Sequence, residues 1–195
     1  MTVDAAPSTT SAPPAGRSGA AGTRVSYVPR RRQLLGLGVL VSAQFVVMLD
    51  TSIVNVALPS IQADLGLGDG VLSWVVNAYV LTFGGLLLLC GRVADQVGRR
   101  RLFSAGSVLF TVGTLMAAAT SNEWMLVAGR VVQGAGAAAL SPAAMSLLLV
   151  NFPGELRARA MSLWGAASAL GGAPGVAPGG RLSGTVGWRA VFLVT

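Results

Sequence analysis

Five blocks of roughly twenty mostly apolar residues, joined by short polar connections, run through this 195-residue chain. A helix rising about 1.5 Å per residue crosses a ~30 Å hydrocarbon layer in that length, so each block reads as a transmembrane helix. The sequence places the spans near 34–57, 72–91, 102–120, 124–150 and 161–180, with a sixth opening at Trp188 and cut off by the end of the chain. The fourth is long enough to tilt or protrude. The connections, 58–71, 92–101, 121–123, 151–160 and 181–187, are too short for adjacent spans to be anything but antiparallel. The fold class expected is an all-α, polytopic membrane protein.

Composition agrees. Charged residues are 11% and hydrophobic residues 53% of the chain, against roughly a quarter charged in ordinary soluble domains. The chain has no His and a single Cys, Cys90; that excludes a disulfide framework and a Cys/His metal cluster. No nucleophile–base pair can be assembled either, so an enzyme is not expected. Every basic residue is Arg, and with so much Ala and Gly this reads as mutational bias in a GC-rich, bacterial genome.

Residues 1–33 carry no apolar periodicity and are expected to form a disordered cytoplasmic tail. A cleavable signal is excluded because the apolar run after Arg32 is too long and contains Asp50. A transit peptide lacks its amphipathic pattern. Orientation follows from the arginines. With the N-terminus in the cytoplasm, Arg17, Arg24, Arg30, Arg31 and Arg32, four in the 92–101 loop, and Arg157 and Arg159 all lie inside, whereas Arg181 and Arg189 lie outside. The net charge of +7 therefore belongs to one face of a membrane, where anionic lipid attracts it, and not to nucleic-acid binding. The expected location is the cell membrane, multi-pass.

Two residues break the apolar rule. A charge at the bilayer centre costs about 2.5–3.5 kcal/mol on the insertion scale. Asp50 lies roughly 24 Å into the first span and Arg130 roughly 9 Å into the fourth from its outer end. The spans run oppositely, so both reach a similar depth in the outer half, where an acid and a base facing a shared cavity compensate each other. Snorkelling to the interface would serve Arg130 but hardly the shorter Asp50. A buried carboxylate that takes up and releases a proton is what a proton carrier requires. Gln133, at i+3 from Arg130, adds polarity to that helical face.

Gly171, Gly175 and Gly179 recur every four residues in the fifth span, a spacing that lets two backbones approach closely. Pro174 and Pro178 are expected to bend that helix. GRVADQVGRRR at 91–101 reads as a tight cytoplasmic loop in which Gly91 and Gly98 turn the backbone. Asp95 can pair there with an arginine or a helix N-terminus. The loop lacks the setting of a phosphate cradle.

Together these segments resemble the major facilitator superfamily, in its fourteen-helix drug/proton antiporter branch. LDTSIVNVALP at 49–59 looks like that branch's first-helix motif, with Ser52 where Thr is usual, and SWVVNAYVL at 73–81 resembles its second helix. GRVADQVGRRRLF at 91–103 matches the superfamily loop at Gly91, Asp95, Gly98, Arg99 and Arg100, with Val93 and Gln96 as departures. AGRVVQGAGAA at 128–138 is similar to the fourth-helix motif, with Arg130, Gln133 and Gly134. The fifth-helix antiporter motif matches at Gly171, Gly175, Gly179 and Gly180, with Val176 in place of its proline, and Trp188 and Arg189 fit the sixth-helix opening.

The resemblance implies the N-terminal six-helix half of a facilitator, truncated here, built from inverted three-helix repeats. It implies proton-coupled export of lipophilic small molecules, driven by the proton gradient without a cofactor. Its partners would be substrate, protons, the bilayer and the remaining half of the same transporter. Asp50 and Arg130 would couple protons, Asn55, Asn77, Tyr79 and Gln133 would line the substrate cavity, the 91–101 loop would gate the inner side, and the fifth helix would seal or flex. A metabolite importer and a non-transporting scaffold are the alternatives; the glycine-rich helix opposes the first, the intramembrane charges the second.

Overall fold

The computed structural model describes residues 31–172 together with Trp188 and Phe192. They form α1 (Arg31–Leu65), α2 (Asp69–Val97), α3 (Arg99–Ala118), α4 (Glu123–Asn151) and α5 (Glu155–Gly172), with no strand among the described residues. The first four are long and apolar enough to cross a membrane. The tail before Arg31, Gly175, Gly179, Gly180 and both fifth-span prolines lie outside the described residues.

The helices outrun the expected spans and the connections shrink to match. The 58–71 connection is only Gly66–Gly68, because α1 continues through Pro59 to Leu65. A proline inside a helix costs about 3 kcal/mol. Tertiary burial outweighs it: Ile61, beyond the proline, is fully buried in a core with Ile53, Val75, Leu126, Trp188 and Phe192. Trp188 also donates its indole N–H to Asp64 at 2.9 Å, fastening the C-terminal end of α1. The 92–101 loop likewise collapses to one residue, Gly98, whose φ of +99° few side chains tolerate. Gly91 makes no turn; it lies inside α2. At the start of α4, Asn122 accepts a 2.9 Å bond from the Met125 N–H, a side-chain cap.

α4 is the centre of the bundle, packed on α3, α2 and α1, while α1 also packs against α5. The close α3–α4 contact comes from glycines seven residues apart on each helix. A Cβ at Gly136 would lie 2.4 Å from the Phe110 nitrogen, and one at Gly113 would lie 2.5 Å from the Gln133 nitrogen. Gly134 does the same for α2, 2.7 Å from the Tyr79 carbonyl, and Gly171 for α5, 2.7 Å from the Phe45 carbonyl. Lipid offers no hydrophobic drive for helix association, so backbone proximity of this kind supplies it. Gly136→Ala is therefore expected to destabilise the fold by about 1–3 kcal/mol through overpacking. Gly84→Ala, in open space within α2, should be neutral or stabilising by up to about 1 kcal/mol. Thermal unfolding in detergent distinguishes them; equal midpoints would remove the close-packing argument.

Candidate functional site

Asp50 on α1 and Arg130 on α4 meet. The Arg130 Nη1 donates to Asp50 Oδ2 at 2.7 Å, and their side chains are 2% and 0% exposed, respectively. Further hydrogen bonds surround them. Gln133 Nε2 donates to the other carboxylate oxygen, Oδ1, at 3.0 Å and to Thr114 Oγ1 at 2.8 Å. Arg130 Nη1 also reaches Gln133 Oε1 at 2.8 Å, and Arg130 Nε donates to the Val75 carbonyl at 3.2 Å. The Tyr79 ring lies under the guanidinium, 4.4 Å from its carbon, and stacks on Phe83. Thr114 closes the chain by donating to the Phe110 carbonyl at 2.9 Å.

Four helices thus converge on one carboxylate–guanidinium pair, and each does so for a local reason. The i, i+3 spacing puts Arg130 and Gln133 on one face of α4. Gly113 lets α3 approach so closely that the next residue, Thr114, reaches Gln133. Gly134 brings α2 against α4, which places the Val75 carbonyl and Tyr79 within range of Arg130. A buried ion pair offsets its desolvation only when the remaining donors and acceptors are engaged; here both carboxylate oxygens and the Nε and Nη1 of Arg130 are.

Several expectations need correction. The pair does not face a shared open cavity: it is sealed within packed helices, because Tyr79, Gln133 and Thr114 occupy the space around it. Snorkelling is excluded for Arg130 by its burial. The expected cavity set divides. Tyr79 and Gln133 belong to the buried cluster, whereas Asn55 and Asn77 are exposed, Asn55 bonding its own helix at the Thr51 carbonyl. Of the loop residues, Asp95 and Arg99 form a 3.4 Å ion pair, exposed and so weak, and Arg100 lines a hollow beside them and a second one toward α1. Of the fifth-helix glycines only Gly171 is described, packed on α1 beside Met48 and Leu49, next to Asp50. Thr114, Val75 and Gly113 were missed. A hydroxyl in span three at the depth of Asp50 was a signal for Thr114; the backbone carbonyl of Val75 had none. Among the described residues no three His, Cys, Asp or Glu side chains converge as a metal site would require.

The family model described as Major Facilitator Superfamily matches residues 40–195. The chain belongs to that superfamily. Among its curated relatives, the puromycin resistance protein pur8 of Streptomyces alboniger is 47% identical over 163 residues, covering 83% of this chain and 32% of that protein. The cephamycin export protein CmcT of Amycolatopsis lactamdurans is 45% identical over 154 residues, 78% of this chain and 32% of that protein. The methylenomycin A resistance protein of Bacillus subtilis is 37% identical over 162 residues, 83% of this chain and 34% of that protein. The chain thus spans about a third of the length of these relatives. A crystal structure of a bacterial homolog to the human lysosomal transporter Spinster, inward-facing and unoccupied, matches the fold with a TM-score of 0.70 at 18% identity, over 85% of this chain and 37% of that one. This facilitator chain is a multi-pass membrane protein, of a family of transporters and not of enzymes.

Removing one member of the central pair strands the other. Arg130→Gln in this facilitator is expected to cost about 3–5 kcal/mol by leaving Asp50 buried without its counter-charge. Adding Asp50→Asn should restore more than half of that loss. Chemical or thermal unfolding in detergent measures both, and strictly additive losses would deny the coupling.

Proposed function

We propose that this chain is the N-terminal helical portion of a proton-driven exporter of lipophilic small molecules. The observation that carries the reading is the sealed Asp50–Arg130 pair, held by Gln133 and Thr114 at the junction of α1, α3 and α4. A carboxylate there is a proton site whose occupancy changes the bonding of several helices at once. A proton on either Asp50 oxygen removes the charge that holds the guanidinium, and Arg130 then relies on Gln133, the Val75 carbonyl and the Tyr79 ring. α1 and α4 are released from each other, the kind of two-state element that alternating access needs.

The contact to α5 extends this. Gly171 rests on the α1 backbone at Phe45 to Leu49, and Ser52 Oγ donates to the Gly172 carbonyl at 2.7 Å. Movement of α1 about Asp50 is therefore passed directly to the helix with the antiporter motif. The exposed Asp95–Arg99 pair, on the one-residue turn between α2 and α3, serves as the latch of the inner side. The arginine distribution supports a cytoplasmic N-terminus. Export and a lipophilic, drug-like substrate are supported by relatives whose names record puromycin resistance, cephamycin export and methylenomycin A resistance. The energy source is the proton gradient, with no bound cofactor in the cycle.

The test is Asp50→Asn in the full-length protein, expressed in an efflux-deficient bacterium. Proton-dependent dye efflux from everted vesicles, normalised to the amount of protein in the membrane, is expected to fall to background. Undiminished efflux from the variant would overturn the carrier role.

A further inference from the structure

Two of the helix starts on one side of the bundle break a rule that the other starts keep. α2, α4 and α5 each open with an acid in the first turn, Asp69, Glu123 and Glu155, as the positive end of the helix dipole favours. α1 and α3 open instead on Arg31–Arg32 and Arg99–Arg100–Arg101, with no acid in either first turn. Like charges therefore crowd two positive dipole ends. Arg99 has Asp95; among the described residues no ion pair reaches Arg32, Arg100 or Arg101.

These two ends converge on one hollow. A pocket of about 370 Å³ lies between the start of α1, the start of α3 and the end of α4. Arg32 and Arg100 stand on its wall with Asn151, and Val39, Phe103 and Leu147 form its apolar part; no acid lines it. A second hollow of about 470 Å³ shares Arg100 and Leu147 and adds Arg99 and Arg101, with Asp95, the partner of Arg99, as its one acid. A cationic rim over an apolar wall at the end of a helix bundle has the polarity profile of a phospholipid, phosphate at the interface and acyl chain beneath it. Guanidinium forks match phosphate oxygens, and basic pockets between membrane helices recognise anionic headgroups.

We propose that the pocket between α1, α3 and α4 binds an anionic phospholipid, with its phosphate on Arg32 and Arg100 and the first segment of an acyl chain against Val39, Phe103 and Leu147. The lipid supplies the negative charge that both helix starts lack. It also joins the ends of the helices that carry Thr114 and Arg130, so it braces the bundle from below the coupled pair. A free inorganic anion satisfies the guanidiniums but leaves the apolar wall unfilled, which is why the lipid is the occupant.

The experiment uses the full-length protein in mild detergent, with phosphatidylglycerol and phosphatidylcholine compared by native mass spectrometry and by thermal shift. Phosphatidylglycerol is expected to be retained preferentially. The double variant Arg32→Gln/Arg100→Gln is expected to reduce that preference by about twenty-five-fold, at about fivefold for each arginine near the lipid surface. Arg92→Gln, on the same side but outside both hollows, should keep it. Equal retention of the two lipids by the unmodified protein overturns the proposal without any variant. So does an undiminished preference in the double variant, or protection by millimolar inorganic phosphate equal to that by phosphatidylglycerol.

Discussion

One salt bridge, Asp50 to Arg130, sets the terms for the rest of this bundle. A carboxylate and a guanidinium removed from water are tolerated only if their geometry is good and their spare lone pairs and protons are engaged. Here the 2.7 Å contact is backed by Gln133, Thr114, the Val75 carbonyl and the Tyr79 ring. Those partners come from α2, α3 and α4, so satisfying the pair brings α1 into register with three helices. A polar centre therefore supplies orientation in a medium where apolar contact alone does not discriminate between helix faces.

Glycine makes that centre possible. Gly113 and Gly134 stand where any side chain would collide with the neighbouring backbone, and each lies beside a member of the polar cluster. The close approach includes the level at which the network lies. Elsewhere the helices present large apolar side chains outward, Leu88, Val108 and Trp124 among them, as a lipid-facing surface does. The contacts that hold α1 to α4 run through the same few residues, Asp50, Arg130 and Gln133.

Much of the site was legible because charge in an apolar run is conspicuous. Depth arithmetic on antiparallel spans put Asp50 and Arg130 at one level, and helical spacing put Gln133 on the face of Arg130. Asn55 and Asn77 carried the same kind of signal without a direction: polarity within a span does not tell which way a helix is rotated, and both lie on exposed faces outside the buried cluster. Span boundaries failed at Pro59 and in the 91–101 segment. Local breaker residues were read as ends, whereas burial of Ile61 carries α1 past its proline and Gly98 alone makes the turn between α2 and α3.

The amino-acid sequence by itself determined that the chain forms apolar helices of membrane-crossing length, their antiparallel order, and which two charges were out of place among them. Those are properties of composition and distance along one chain. Tertiary structure decided which helix faces touch, that the charged pair is sealed within packed helices and not set on a shared cavity, and that Thr114 and the Val75 carbonyl complete it. These depend on helix rotation and backbone separation, which are fixed jointly by glycines on facing helices and cannot be read from any one of them.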